Sequence, residues 1–338
     1  MEKRVLADVD TIYAVCPAHC DGELYYVAAS EKKNGPTVLI NPKTKNCETI
    51  WTEPGGITGL CEVEDRGFLS IDEFYPVFIS KDAAVYHIRI EGQDGKHTFV
   101  KKKLFDLPWA HRVAYCYEED GNYVITASLC KHKEFVEDWS TKGSVYAVKY
   151  ANGEMLGELE NILPETILKN HAMCIKKNAR GYDDIYVGGA EGVYKLSREN
   201  GSWISKHICS VPTSDLTLYD LDGDGKDELC IIEGFHGTVM EIFHQEGDEY
   251  VPVYSQNFEF GHVLISGQIE GKPTLVLGTR AAEKFIKLIR FEDGHYKEIL
   301  VDSGVTASQA MILANPVTGK DHLVVAQHGI SKITEYIF

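Results

Sequence analysis

Asp215–Phe243 reads DLTLYDLDGDGKDELCIIEGFHGTVMEIF. Its middle places Asp220, Asp222 and Asp224 at alternate positions, with Gly223 and Gly225 between and after them. Glu228 follows and leads into the apolar run Leu229-Cys230-Ile231-Ile232. Carboxylates at alternate positions of a glycine-bearing loop suit a hard cation that takes oxygen ligands, Ca²⁺ first. The expected ligands are Asp220, Asp222, Asp224, the Lys226 carbonyl and Glu228. Three acids this close repel one another without a counter-cation. An EF-hand needs a bidentate Glu at the twelfth position and helices on both sides. Here that position is Ile231, and both flanks read as strands. The stretch is therefore expected to be a metal-clipped β-turn between two strands.

The same plan recurs on both sides. Units beginning at His171, Asp215, His262 and Ser308 are spaced by 44, 47 and 46 residues. Each reads as strand, turn, strand, loop, strand, polar turn, strand, which is one four-stranded propeller blade. The first half follows with longer loops, in units beginning at His19, near Ile57 and at His111. The last unit runs out at Phe338 after three strands. Arg4-Val5-Leu6-Ala7-Asp8-Val9 supplies a fourth and would remove an exposed sheet edge. The expected fold is all-β: a seven-bladed β-propeller closed by the N-terminal strand, with residues 1–338 forming one domain.

Composition narrows the partners. Apolar residues make up 44% of 338, enough for a sizeable core, and the formal net charge is −17. Nucleic acids and anionic membranes call for basic surfaces, so neither is expected as a partner. No apolar run approaches a membrane span, and the first residues lack the apolar core of a signal peptide. Most of the nine cysteines sit in apolar strands as small buried hydrophobes. Together these point to a reducing cytoplasm.

The positions leading into the innermost strands carry the chemistry. His19, His111, His171 and His262 stand at or near that point in four blades. His132, His236 and His328 end second strands, which open on the same face. Convergence of imidazoles at repeat-equivalent positions suits a divalent transition metal such as Zn, Mn, Fe or Ni. The expected ligands are drawn from His111, His171, His262, His236 and His328. His132, Tyr75 and Glu233 are the expected acid–base groups. His19, Trp109, Arg280 and Gln327 are expected to contact a substrate. The Asp220–Glu228 loop belongs to the opposite face, so its ion is expected to be structural.

No nucleophile elbow, P-loop or dinucleotide fingerprint appears. The D-x-D-G-D-G loop at Asp220–Leu229 resembles the FG-GAP/VCBS type of propeller repeat. With His before the inner strands, the pattern resembles the seven-bladed propeller of aldos-2-ulose (1,5-anhydrofructose) dehydratases. Gln327-His328 is similar to part of the His/Gln metal site of oligogalacturonate lyases. The resemblance implies a metal-assisted carbon–oxygen lyase acting on a small keto-sugar or glycoside. The alternative is a carbohydrate- or protein-binding propeller without catalysis. A lectin should repeat its binding residues around the ring, whereas here the ion loop occurs once and the histidines are uneven.

Overall fold

The computed structural model describes residues 1–64, 66–93, 96–315 and 319–338. Short, β-branched and aromatic strands separated by Gly, Asn and Asp turns form seven antiparallel sheets in a ring, a seven-bladed β-propeller. Six sheets have four strands; in five of them the strands run in chain order from the channel outward, and in the last blade the outermost strand is the first of the chain. In the third blade the outer strand is broken into Glu154–Met155 and Glu160–Asn161, both paired with Val145–Ala151. Among the described residues a single 3-10 turn, His328–Ile330, breaks the all-β pattern, and no helix is long and apolar enough to cross a membrane.

The first blade differs from the expected register. Its innermost strand is Ile12–Cys20, so the blade begins seven residues before His19. His19 lies at the far end of that strand, paired with Leu24. Pro17 and the two cysteines disguise the strand in the sequence, although Pro17 is accommodated opposite Tyr26.

Ring closure occurs as expected. Glu2–Asp8 pairs antiparallel with Lys332–Ile337 and completes the last blade. Leu6 and Val9 are buried in one apolar cluster with Ile12, Tyr26, Val324 and Ile333, which joins blade seven to blade one. Beneath it Glu335, fully buried, takes hydrogen bonds from Arg4 Nε at 2.9 Å, from Tyr26 Oη at 2.9 Å and from His322 Nδ1 at 2.6 Å. Burial alone would raise this carboxyl, but those hydrogen bonds outweigh it and hold it below the ordinary value.

Neighbouring blades are also tied at the channel by acceptors that cap backbone N–H groups across the seam. Gln309 Oε1 accepts from Val15 N at 3.2 Å, and Asp215 Oδ2 from Leu264 N at 3.1 Å. Asp183 Oδ2 accepts from Tyr117 N at 2.7 Å. These bonds fix the angular spacing of the inner strands, and with it the positions of the side chains at the mouth.

Candidate metal centre at the mouth of the channel

One local irregularity builds the site. The first two strands of blades one, three, five, six and seven slip register at their start, and the skipped residues are Tyr13, His111, Ser214, His262 and Ser308. In blades two and four the equivalent residues are Thr58 and His171, whose N–H groups bond Ile71 O and Gly188 O just before the regular ladder. A bulge re-aims the side chain of its extra residue. Repeated in ring order, it gives a circle of Tyr13, Thr58, His111, His171, Ser214, His262 and Ser308.

Three histidines and a tyrosine of this circle meet. The His111 and His171 rings lie 4.3 Å apart, His171 and His262 5.7 Å, and Tyr13 stands edge-on to His262 at 5.5 Å. The Tyr13 hydroxyl is 3.4 Å from Nε2 of both His111 and His262. His236 joins from above, its ring 5.2 Å from His171 and 5.5 Å from His262. It sits in a left-handed turn with φ 50°. The turn is tight enough that a Cβ on the next residue, Gly237, would fall 1.5 Å from the Glu233 carbonyl oxygen. His171, His236 and His262 each offer a ring nitrogen within 4.8 Å of the others.

Hydrogen bonds set the tautomers of two of them. His171 Nδ1–H donates to Ser214 O at 2.6 Å, and His262 Nδ1–H to Ser308 O at 2.8 Å. In each case the acceptor is the carbonyl of the equivalent residue one blade further on. Nε2 of both rings is therefore a lone pair, and on His171 it has no partner among the described residues. An imidazole anchored through Nδ1 to a backbone carbonyl is the usual support of a metal-ligating histidine. Burial, then nearby arginines and neighbouring imidazoles (His111 foremost for His171), holds His111, His171 and His262 well below the ordinary imidazole value and His236 at about 4. All four are neutral at pH 7, the form that binds a metal. Burial pushes the Tyr13 hydroxyl up to about 12.

The surroundings divide into a cap and a channel. Above, Phe235 stacks on His236 at 4.2 Å and stands edge-on to His171 at 5.4 Å. Phe78 and Trp139 pack on Phe235 at 5.8 and 5.3 Å, and Lys169 lies 5.2 Å over Phe235. Arg280 lies over the rings of Phe260 and Tyr13 at 5.6 and 6.0 Å. Below is a cavity of about 200 Å³ lined by Arg112, Asp215, Thr217, His262 and Gln309. Burial, partly offset by Arg112 and two backbone N–H groups, pushes the Asp215 carboxyl up to about 6.

Of the residues expected at the mouth, His111, His171, His236 and His262 come together, with Arg280 beside them. His19 does not: it is on the opposite face with Nδ1 2.8 Å from Glu62, because the blade starts earlier than expected. His328 is on the right face, but Nε2 is taken by Glu31 at 2.7 Å. His132 is half-exposed, 2.7 Å from Glu134 and 5.8 Å from the buried Trp109 ring. Trp109 is buried with Phe74, Leu129 and Cys130, against Phe78 and Trp139 of the cap, and Phe74 in turn stands edge-on to His111 at 5.2 Å. Gln327 is fully buried, donating to Tyr336 Oη at 2.8 Å and accepting from Thr334 at 3.0 Å. Tyr75 lies under Lys33 at 5.3 Å, and Glu233 is half-buried in its strand opposite Thr213. Tyr13, Arg112 and the aromatic cap were not foreseen. Stepping one repeat length back from Thr58 lands on Tyr13, and that period was the available signal.

Fold and site together define a seven-bladed propeller with a histidine cluster at one mouth of its channel. No family model matches the chain, and no curated protein matches its sequence. Among solved structures the chain is similar to Sqt1 of Saccharomyces cerevisiae, at 11% identity over 95% of this chain and 82% of that one, with a TM-score of 0.60. It is also similar to a Bacteroides uniformis protein assigned as a 6-phosphogluconolactonase (14% identity, 95% and 90% covered, TM-score 0.56). A Bacteroides fragilis protein with the same assignment aligns at 12% identity, with 96% and 94% covered and a TM-score of 0.52. At such identities the likeness is one of fold. These two enzyme names are lactonases, which are hydrolases, and they correct the expectation of a carbon–oxygen lyase. The FG-GAP and dehydratase resemblance has no matching family model behind it and stays with the single Asp220–Leu229 loop.

Proposed function

We propose that the protein is a metal-dependent hydrolase that opens a small cyclic ester of the sugar-lactone class at the His171–His236–His262 cluster. The observation that carries this reading is the pair of fixed tautomers: His171 and His262 each spend Nδ1–H on a carbonyl and leave Nε2 a lone pair. Three neutral imidazoles match the protein ligand set of a catalytic zinc-type site. A bound divalent cation supplies a water of near-neutral pKa and a Lewis acid for an ester carbonyl. The chain's residues do the rest. Arg280 above and Arg112 below hold the negative charge that ester opening creates. Phe235, Phe78 and Trp139 keep bulk water off the cluster. Tyr13, protonated at neutral pH, is a hydrogen-bond donor between His111 and His262. The substrate class is taken from the names of the Bacteroides neighbours, while the chemistry rests on the histidines. In a pH-stat assay with glucono-δ-lactone and its 6-phosphate, proton release above the spontaneous rate should vanish after chelation and return with Zn²⁺ or Mn²⁺. Acceleration that survives complete chelation would refute the metal-dependent reading.

We propose that the Asp220–Glu228 loop, whose sequence resembles the FG-GAP repeat, holds a structural Ca²⁺. Asp220 Oδ1 accepts from Gly223 N at 2.7 Å and Asp224 Oδ1 from Lys226 N at 2.8 Å, which turns the carboxylates into the loop. Asp220, Asp222 and Asp224 present oxygens within 4.8 Å of one another. Glu228 is buried below them, with His244 Nδ1 at 3.2 Å. Added Ca²⁺ should raise the Tm of chelator-stripped protein by about 4 °C at saturating concentration. Asp222→Ala/Asp224→Ala should abolish that rise and leave lactone opening intact, because the loop joins the first two strands of blade five at the end away from the histidines.

A further inference from the structure

The rim of the mouth carries two cations set on aromatic faces. Lys169 lies 5.2 Å over the Phe235 ring, and Arg280 lies 5.6 Å over the Phe260 ring. Between those rings stands His236, 4.2 Å from Phe235 and 4.6 Å from Phe260. The result is a stacked row with a candidate metal ligand at its centre and a positive charge at each end. All five side chains are half-buried, so each keeps some surface open to solvent.

No carboxylate forms an ion pair with Lys169 or Arg280 among the described residues; their neighbours are aromatic faces. Other lysines of this chain do meet acids, as Lys142 meets Glu191 at 2.7 Å and Lys176 meets Asp227 at 2.6 Å. The sequence has 51 acids for 34 lysines and arginines, yet none is placed against these two. Asp138, beside Trp139 in the cap, is committed to the N–H groups of Glu134 and Ser140, each at 3.0 Å. The fold also holds Lys169 where it is. Its backbone is left-handed, with φ 55°, and its N–H donates to Leu129 O at 3.1 Å. The next residue, Asn170, is fully buried and donates from Nδ2 to Ser144 O at 3.2 Å. The Trp139 ring meets the Lys169 ammonium at 5.2 Å and that of the buried Lys133 at 3.3 Å, so a second cation stands behind the first. An ammonium on a ring face still has N–H donors to give. After burial, Arg280, Arg112 and Lys169 in turn depress the His236 imidazole, so their field reaches the cluster.

We infer that the mouth selects an anionic substrate, and that Lys169 is the residue that sets this specificity by holding a carboxylate or phosphate substituent on the sugar ring. Arg280, at the other end of the row, stays with the charge that ester opening creates. The inference rests on the lactone reading for the reaction, and on the unpaired cations alone for the anion.

Glucose, glucose 6-phosphate and glucuronate share a pyranose and differ in the charge carried at the sixth carbon. They are titrated calorimetrically into the chelator-stripped full chain, so that no metal can take the anion. At least one of the two anions should bind saturably at one site, about tenfold or more tighter than glucose, and the tighter one identifies the substituent. Lys169→Met keeps the aliphatic stem over Phe235 and should weaken that anion about tenfold, whereas Lys169→Arg should retain it. Screening with about 0.5 M NaCl should weaken it in the parent protein, a result that depends on no variant folding. In the pH-stat assay Lys169→Met should raise KM for the matching anionic lactone about tenfold and move kcat little. Lys169-dependent anion binding without lactone opening would defeat the hydrolase reading and leave this inference standing. Glucose bound as tightly as both anions, no saturable heat from either anion, or undiminished binding in Lys169→Met would overturn it.

Discussion

Deleting residues 1–9 should leave a chain that neither melts with the parent's cooperativity nor stays monomeric. The strand Glu2–Asp8 is the fourth of its blade, and its loss bares the backbone edge of Lys332–Ile337. An open edge of that kind is a template for pairing with another chain. The deletion also removes Leu6 and Val9 from the core between blades seven and one, at about 1.5–3 kcal/mol for each side chain. Removal of Arg4 takes a cation from a fully buried Glu335, and breaking such a pair costs about 3–5 kcal/mol. Together these losses approach the roughly 5–15 kcal/mol that stabilises a typical domain. Size-exclusion chromatography and a thermal melt check the result. A truncated chain with the parent's Tm and elution volume would show that closure by this strand is dispensable.

The second large effect belongs to the cluster. His171→Ala and His262→Ala should each lose more than about 100-fold in metal affinity and in lactone opening, because each removes a ligand nitrogen whose direction is fixed by a neighbouring blade. His236→Ala should be milder in stability, since His236 stands on a turn and is less buried than the other two. Circular dichroism and melting curves of the same variants separate loss of metal from loss of fold. A His328→Ala variant, whose imidazole is engaged by Glu31, should keep both metal and turnover. The reverse pattern, with His328 essential and His171 dispensable, would move the site to the rim.

Much of the architecture was legible because the second half repeats with short connections. From His171 onward the period is nearly constant, and the inner strands found in the structure begin within two residues of the expected starts. The first blade was misplaced because His19 is an attractive marker for a mouth that in fact lies at the other end of its strand. The outer strand of blade three departs from the repeat, because it pairs only at its two ends. What the sequence hides is the bulge. A one-residue slip decides which side chain enters the mouth, and slips are set by pairing between strands, not by residue type. Hence Tyr13, with no distinctive neighbours, went unread, while His111, His171 and His262 were visible from chemistry alone. Likewise nothing in Gln327-His328 reveals that Tyr336, Thr334 and Glu31 already satisfy both side chains.

X-ray absorption on protein loaded with one equivalent of Zn²⁺, at the metal edge, tests the central claim most directly. The account predicts a first shell dominated by about three imidazole nitrogens at about 2.0–2.1 Å, with the imidazole scattering reduced in His171→Ala. A shell of oxygens alone, unchanged in that variant and lost in Asp222→Ala/Asp224→Ala, would place the metal in the Asp220–Glu228 loop and contradict a metal centre at the mouth.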